Sequence, residues 1–300
     1  MTTLAVEGLS VRYPAGALAV REVSFGVGPG ELVAVVGESG CGKSTIAKAV
    51  LGSLPRGTAV SGAIRLDGIE LTRTTPAQWR SLRGRRVGYV SQDPFGAMDP
   101  LWRIESNVAE AWRAKGVAPK AGEVAAALES VGIGEAASRM RQYPHEWSGG
   151  MLQRAGIAAS GAWRPDLVIA DEPTAALDAD LADAIIDRLR QTAGAVLLIS
   201  HDLALVGRHA DRVLVMYGGR VVEAGAGVLR HPRHPYTAGL LAAIPRPGHG
   251  LPTPLEGTPP DLTDLSPGCP FAPRCPLAVT ACRRSAPALA GGVACPEVAR

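Results

Sequence analysis

Nine residues at positions 37–45, GESGCGKST, combine three glycines with a lysine that two hydroxyl side chains follow. They come directly after the apolar run LVAVV, which has the length of a buried strand, and before a segment with helical spacing. Glycines let backbone N–H groups converge on phosphate oxygens, and the helix N-terminus adds partial positive charge. The spacing Gly37-x4-Gly42-Lys43-Ser44 therefore predicts a P-loop that binds a nucleotide. The predicted contacts are Gly37, Ser39, Gly40, Cys41, Gly42, Lys43, Ser44 and Thr45.

An acidic pair follows a second apolar run, LVIAD, at Asp171 and Glu172. Such a pair can be a solvated turn, but downstream of a P-loop it is typical of the edge where Mg²⁺ is held. We expect Asp171 to help coordinate Mg²⁺ together with the Ser44 hydroxyl, while Lys43 reaches the β- and γ-phosphates. Glu172 is then placed to polarise the water that attacks the γ-phosphate.

The segment HEWSGGMLQR at 145–154 contains a third candidate site, Ser148-Gly149-Gly150, at the predicted start of a helix. Alone, this triplet is a weak motif that usually marks a loop. As a helix N-terminus with small residues it can bind a second anion. Two such sites around one phosphate group suggest that a second copy takes part.

These residues need a sheet to position them. The apolar runs at 167–171 and 195–200 predict buried strands on either side of a helix, and this β–α–β order predicts an α/β fold with a largely parallel sheet. Alternating runs over 4–36 and a hairpin around Asp67-Gly68 predict a β-rich unit. The composition of 94–163 predicts a mostly helical insertion.

Bulk composition sets the class of protein. The chain has 300 residues, of which 46% are apolar and 20% charged, so it is globular and long enough for a main domain with an appendage. Its net charge of +3 is too small to predict nucleic-acid binding by charge alone. No apolar run approaches the ~20 residues needed to span a bilayer. The first residues lack a signal-peptide pattern, so we expect a cytosolic chain.

Four of the five cysteines, Cys269, Cys275, Cys282 and Cys295, crowd near the C-terminus after a Pro- and Gly-rich stretch. In a reducing compartment this clustering favours a metal or cluster site over disulfides. Four thiolates suit an iron–sulfur cluster or tetrahedral zinc. The spacing of the cysteines does not distinguish among a cluster, zinc and unliganded thiols. We expect a nucleotide-binding domain at 1–245 and an extension with a linker and these cysteines at 246–300.

The order of the motifs over residues 1–245 resembles that of the ATP-binding-cassette (ABC) ATPases, a P-loop NTPase fold with an antiparallel β subdomain and a helical subdomain. The resemblance implies that Ser148, Gly149 and Gly150 form the signature motif, which closes on ATP held by the P-loop of a partner subunit. The signature reads WSGGM here instead of the common LSGGQ, which keeps the serine and glycines that contact phosphate.

The same resemblance assigns four further residues. Gln92, in YVSQDP, is similar to the Q-loop glutamine that senses Mg²⁺ and the γ-phosphate and connects to the membrane partner. Asp178 belongs to a D-loop, Ala176-Leu177-Asp178, and His201 is similar to the switch histidine at the γ-phosphate. Tyr13 takes the place of the aromatic residue that stacks on adenine, with simple packing at a strand end as the alternative.

A narrower resemblance is visible in YPHEWSGGM, SQDPFGAMDP, HPYTAGLL and GCPFAPRCPLAVTAC, which together look like the ATPase subunits of peptide and nickel importers. It implies an ATPase at the cytoplasmic face of the membrane, working with two permease subunits, a second ABC ATPase subunit and an extracytoplasmic substrate-binding protein. It also implies a [4Fe–4S] cluster on the four cysteines, with zinc as the alternative. Nickel or metal-chelate uptake and a soluble non-transport ATPase remain alternatives to peptide import. The cargo and the identity of the second ATPase subunit stay open.

Overall fold

The computed structural model describes residues 2–175, 177–245 and 251–298. The chain divides into two compact units. One combines Val27–Leu32 and Thr74–Ile199 with the N-terminal residues up to Thr3, and the other combines Leu4–Gly26, Val33–Arg73 and Ser200–Arg300. We call them the helical unit and the P-loop unit.

The P-loop unit contains two sets of strands. The first is a four-stranded sheet of order β2-β1-β4-β5, in which β1 pairs with β4 and β4 with β5 antiparallel. In the second, β3 pairs parallel with β9, and β9 pairs antiparallel with β10. The strands are β1 Leu4–Arg12, β2 Leu18–Val27, β3 Leu32–Val36, β4 Ala59–Leu66, β5 Ile69–Glu70, β9 Arg212–Tyr217 and β10 Arg220–Gly225.

The helices of the P-loop unit are α1 Lys43–Val50, α8 Leu203–His209, α9 Pro235–Ala242 and α10 Thr280–Arg284, with a 3-10 turn at Ala272–Arg274. All five residues of β3 are buried, as the apolar run predicts, so this strand forms part of the core. The predicted hairpin is β4–β5, whose turn places Asp67 and Gly68 at φ 48° and 83°. Positive φ at both turn residues is the geometry that an Asp-Gly pair favours.

The helical unit contains three parallel strands, with β6 paired to β7 and β7 to β8. Its strands are β6 Val87–Val90, β7 Leu167–Asp171 and β8 Val196–Ile199. Its helices are α2 Pro76–Leu82, α3 Ile104–Arg113, α4 Glu123–Glu129, α5 Ala136–Arg139, α6 Gly149–Ser160 and α7 Ala179–Thr192, with a 3-10 turn at Pro144–Glu146. Four of these helices, α3 to α6, lie in the predicted helical insertion, and the predicted parallel strands are present. No helix of the described residues is both long and apolar enough to cross a membrane.

Candidate nucleotide site and cysteine tail

The P-loop joins β3 to α1, and two of its glycines are required by its path. Gly37 and Gly42 have φ of 149° and 107°, a region that residues with a side chain rarely adopt. A Cβ on Gly37 would collide with the carbonyl oxygen of Met216, and one on Gly42 with the carbonyl oxygen of Ala19. The loop backbone therefore packs directly on two neighbouring strands, β9 and β2.

Lys43 turns its ammonium group into this loop. Its side chain is buried, and Nζ donates hydrogen bonds to the carbonyl oxygens of Gly37 at 2.8 Å and Glu38 at 2.9 Å. The positive charge is thus already inside the loop where the sequence predicts phosphate. Burial raises the pKa of the adjacent Cys41 thiol, so the thiol stays protonated. A neutral, buried thiol agrees with a packing role for Cys41.

Two other predicted residues of the P-loop unit have defined positions. The hydroxyl of Tyr13 lies 3.1 Å from Thr45 Oγ1 in the first turn of α1, so the predicted adenine-stacking ring stands beside the P-loop helix. His201 is exposed and directly precedes Asp202, whose carboxylate caps α8 by accepting from the Leu205 amide at 2.9 Å. This cap fixes the backbone next to His201 and leaves its ring at the surface.

The acidic pair lies at the carboxyl end of β7 in the helical unit. Asp171 and Glu172 are 3% and 8% exposed, and the Glu172 amide donates to the Ile199 carbonyl at 2.9 Å. Glu172 has φ of 51°, which is uncommon for a residue with a side chain and is concentrated at functional sites. Burial is the larger cause that raises the pKa of the Tyr89 hydroxyl, and the negative charge of Asp171 raises it further.

Gln92 follows β6, the strand next to β7, so it lies at the same edge of the sheet as the acidic pair. Its side chain is exposed, but the backbone before it is fixed. The buried amide of Gln153, on α6, donates to the Ser91 carbonyl at 3.1 Å. Sequence reasoning missed Gln153, which ties the helix of the predicted signature motif to the loop that carries Gln92.

Ser148 and Asp178 both serve as helix N-caps in this structure. The Ser148 hydroxyl accepts from the Met151 amide at 3.3 Å at the start of α6, where Gly149 and Gly150 form the first turn. The Asp178 carboxylate accepts from the Leu181 amide at 2.9 Å at the start of α7. The predicted helix start at Ser148 is present, with the small residues in its first turn. Ala176 of the predicted D-loop lies outside the described residues.

Sequence reasoning also missed the contacts of Glu38, inside the P-loop. Its carboxylate forms a two-armed ion pair with Arg274, at 2.8 and 3.1 Å, and its amide donates to the Tyr236 hydroxyl at 2.8 Å. Arg274 and Tyr236 lie in the segments GCPFAPRC and HPYTAGLL, whose residue patterns resemble the transporter family but do not indicate a contact with the P-loop. The hydrogen bonds that the Arg274 guanidinium donates to the Glu38 carboxylate are the main cause that raises the pKa of Arg274.

The segment Cys269–Cys295, which we call the cysteine tail, brings its four cysteines to the wall of one small pocket. The Cys269 amide donates to the Cys282 carbonyl at 2.7 Å, and burial raises the pKa of the Cys269 and Cys275 thiols. All four thiols are free of disulfides. Among the described residues, no group of three or more His, Cys, Asp or Glu side chains is arranged to hold a metal ion. These side chains therefore do not form the predicted metal-binding site, although all four cysteines line the same pocket. Residues 246–250 of the predicted linker lie outside the described part of the chain.

Comparison with known families agrees with this arrangement. The ABC transporter family matches residues 20–175, and the family described as oligopeptide/dipeptide transporter, C-terminal region, matches residues 223–282. The dipeptide transport ATP-binding protein DppD of Bacillus subtilis is 42% identical over 301 residues, covering 95% of this chain and 90% of that relative. The oligopeptide transport ATP-binding protein OppD of Mycobacterium tuberculosis is 46% identical over 287 residues, covering 90% of this chain. This chain spans about half, 46%, of the length of that second relative.

Solved structures share the fold. A dimeric bacterial ABC transporter cassette aligns with a TM-score of 0.67 and 24% identity, covering 74% of this chain and 98% of the cassette. An ATP-binding subunit of an ABC transporter aligns with a TM-score of 0.64 and 29% identity, covering 76% and 92% of the two chains. The predicted ABC ATPase fold is confirmed. This chain therefore belongs to the ABC transporter family.

Proposed function

We propose that this chain is an ATP-hydrolysing subunit that powers the import of peptides across the cytoplasmic membrane. The observation that carries the proposal is the P-loop itself, with the Lys43 ammonium held inside a glycine loop between a buried strand and a helix N-terminus. Backbone N–H groups of residues 39–45 would donate hydrogen bonds to the phosphate oxygens, and Lys43 would contact the β- and γ-phosphates. Tyr13 would stack on adenine.

The remaining site residues complete hydrolysis in this proposal. Mg²⁺, held by Ser44, Asp171 and Gln92, would neutralise charge on the β- and γ-phosphates when bound. The buried Glu172 carboxylate would accept hydrogen bonds from the attacking water and orient it, and His201 would contact the γ-phosphate. Ser148, Gly149, Gly150 and Asp178 would act on the nucleotide of a second ATPase subunit.

The proposed partners are two permease subunits, a second ABC ATPase subunit and an extracytoplasmic substrate-binding protein, with this chain peripheral at the cytoplasmic face. Apolar side chains after Gln92 support a permease contact. Phe95, Leu101 and Trp102 are 55%, 83% and 43% exposed within eight positions of one another. Several large apolar side chains exposed to water in one short segment are typical of a surface that a protein partner covers.

Hydrolysis is tested first, on the chain purified with Mg²⁺ and ATP. We expect phosphate release by the wild type and its loss in Lys43→Ala, because that variant lacks a charged phosphate contact of about 1.5–3 kcal/mol, or roughly 10- to 150-fold in affinity. Lys48→Ala removes an exposed lysine from the same helix and should keep wild-type activity. Equal activity of Lys43→Ala and Lys48→Ala would refute the P-loop assignment. Permeases that copurify from mild-detergent membranes, with peptide-stimulated hydrolysis, would support the import role.

We further propose that the cysteine tail carries a [4Fe–4S] cluster, with zinc as the alternative, and that the thiols turn towards the group as it binds, because as they stand in the described part of the chain they form no metal-binding group. The support is chemical: four thiols line one pocket, and thiolates are the ligands of both groups. The group would cross-link the tail through Cys269, Cys275, Cys282 and Cys295. Protein purified without oxygen should be brown with stoichiometric iron; colourless protein with one zinc would select the alternative, and metal-free protein would reject both.

A further inference from the structure

Glu38, inside the P-loop, contacts the C-terminal part of the chain through both its backbone and its side chain. Its amide donates to the Tyr236 hydroxyl at 2.8 Å, and its carbonyl accepts from Lys43 Nζ at 2.9 Å. Its carboxylate accepts from Arg274 Nη1 at 2.8 Å and Nη2 at 3.1 Å. Backbone and side chain of one loop residue are therefore held from three directions.

Arg274 is built into its position. Its side chain is only 5% exposed, and it donates to the Tyr217 hydroxyl at 3.0 Å and to the carbonyl of Glu256 at 2.7 Å. The rings of Tyr217, Tyr236 and Phe271 pack on one another, with centroids 4.5 to 5.4 Å apart. The guanidinium lies over Tyr217 and Phe271, 5.7 and 6.0 Å from the ring centroids. The guanidinium of Arg274 is a planar group with two donor arms, and these contacts fix its orientation towards Glu38.

We propose that Arg274 is a positioning residue for nucleotide binding, through which the cysteine tail holds the P-loop in the shape that receives phosphate. The inference rests on the proposed ATP-binding function and adds a control of that same site. Loop glycines make the backbone easy to disorder, and binding must then order it at a cost in free energy. A loop that is held before the ligand arrives avoids part of that cost and binds more tightly.

A purely structural role for this ion pair predicts a different outcome. Removing one partner of a buried pair destabilises a fold, because the other charge loses its compensation. A fold effect alone would lower the melting temperature without changing the affinity of the folded protein for ATP. The positioning role predicts weaker binding at temperatures where the variant is fully folded, and little change in the hydrolysis rate once ATP saturates the site.

The test compares Arg274→Ala with Arg284→Ala, which removes an exposed arginine from the same tail. Calorimetry with MgATP measures Kd, phosphate release at saturating ATP measures kcat, and circular dichroism verifies folding. We expect Kd of Arg274→Ala to rise about ten-fold or more, from the loss of charged hydrogen bonds. Its kcat should stay within about two-fold, and Arg284→Ala should match the wild type in all three measurements.

A double-mutant cycle with Glu38→Gln shows whether Arg274 acts through Glu38. The double variant should bind MgATP no more weakly than the weaker single variant, because both changes break the same pair. Wild-type Kd in folded Arg274→Ala, or fully additive losses in the cycle, would overturn the proposal. Should Arg274→Ala not fold, Glu38→Gln and Arg274→Lys carry the same comparison, and unchanged Kd in both would overturn it. Failure of the wild type to bind MgATP would refute the proposed function instead.

Discussion

His234 offers a quantitative test of how the C-terminal part of the chain is held. Its imidazole is 1% exposed, and Nδ1 accepts from the Tyr236 amide at 3.1 Å, which caps α9. The His234 amide in turn donates to the buried Glu223 carboxylate at 3.0 Å. Burial lowers the pKa of His234 from 6.5 to about 4, because the charged form would lose its hydration.

The sign of the effect follows from proton linkage. Between about pH 4 and 6.5 the unfolded chain binds a proton at this position and the folded chain does not, so acid favours unfolding. The full difference of about 2.5 units corresponds to roughly 3 kcal/mol, present above pH 6.5 and lost as the pH falls towards 4. Between pH 7 and about pH 5 the unfolding free energy should therefore fall by roughly 2 kcal/mol on account of this residue.

The assay is urea unfolding at several pH values. All five tryptophans lie in the helical unit, so far-UV circular dichroism is the signal that also reports on α9. His234→Asn keeps an oxygen acceptor at the N-cap but cannot take up the proton, so its unfolding free energy should depend less on pH than that of the wild type. His231→Asn removes an exposed imidazole from the same segment and serves as the control. Parallel pH profiles for wild type and His234→Asn would show that His234 is not held neutral by burial.

Two further predictions concern the nucleotide site. Glu172→Gln should bind MgATP but hydrolyse it very slowly, because an amide is a far weaker base than a carboxylate, and it should accumulate as an ATP-bound dimer in size-exclusion chromatography. Full turnover would assign the orientation of the attacking water to another residue. Glu129→Gln, which changes an exposed glutamate, is the control. Gly42→Ala should lose MgATP binding and unfold at a lower urea concentration than Gly30→Ala. Gly30 also has positive φ but open space around it, so its substitution by alanine costs only about 1–2 kcal/mol of backbone strain. Equal stability of the two variants would contradict the predicted collision with Ala19.

Local sequence signals predicted most of the fold. Alternating and continuous apolar runs predicted β3, β7 and β8, and Asp67-Gly68 predicted the β4–β5 hairpin, because backbone geometry at these places depends on neighbouring residues. The sequence also predicted a glycine loop between β3 and α1, and the positive φ and close backbone contacts of Gly37 and Gly42 give the physical reason for those glycines. The roles assigned to Glu172, His201 and Gln92 stay predictions.

The contacts that fix the site could not be predicted in this way. Glu38 occupies a variable position of the P-loop motif, and nothing near it in sequence marks it as the partner of Arg274. Gln153 looks like an ordinary polar residue of a helix until its bond to the Ser91 carbonyl is seen. Both contacts join segments that are far apart in the chain, so they follow from tertiary packing and leave no periodic trace. The arrangement of the four thiols is of the same kind, since spacing alone did not decide what they hold.

The ion pair between Arg274 and Glu38 spans 236 positions of the chain. Synthesis on the ribosome runs from the N-terminus, so the P-loop emerges and meets its neighbouring strands long before Arg274 has been added. The loop therefore receives its two hydrogen bonds from Arg274 only after 236 further residues have been added to the chain. A nascent or truncated chain that ends before residue 274 carries the whole phosphate-binding motif without the ion pair between Glu38 and Arg274.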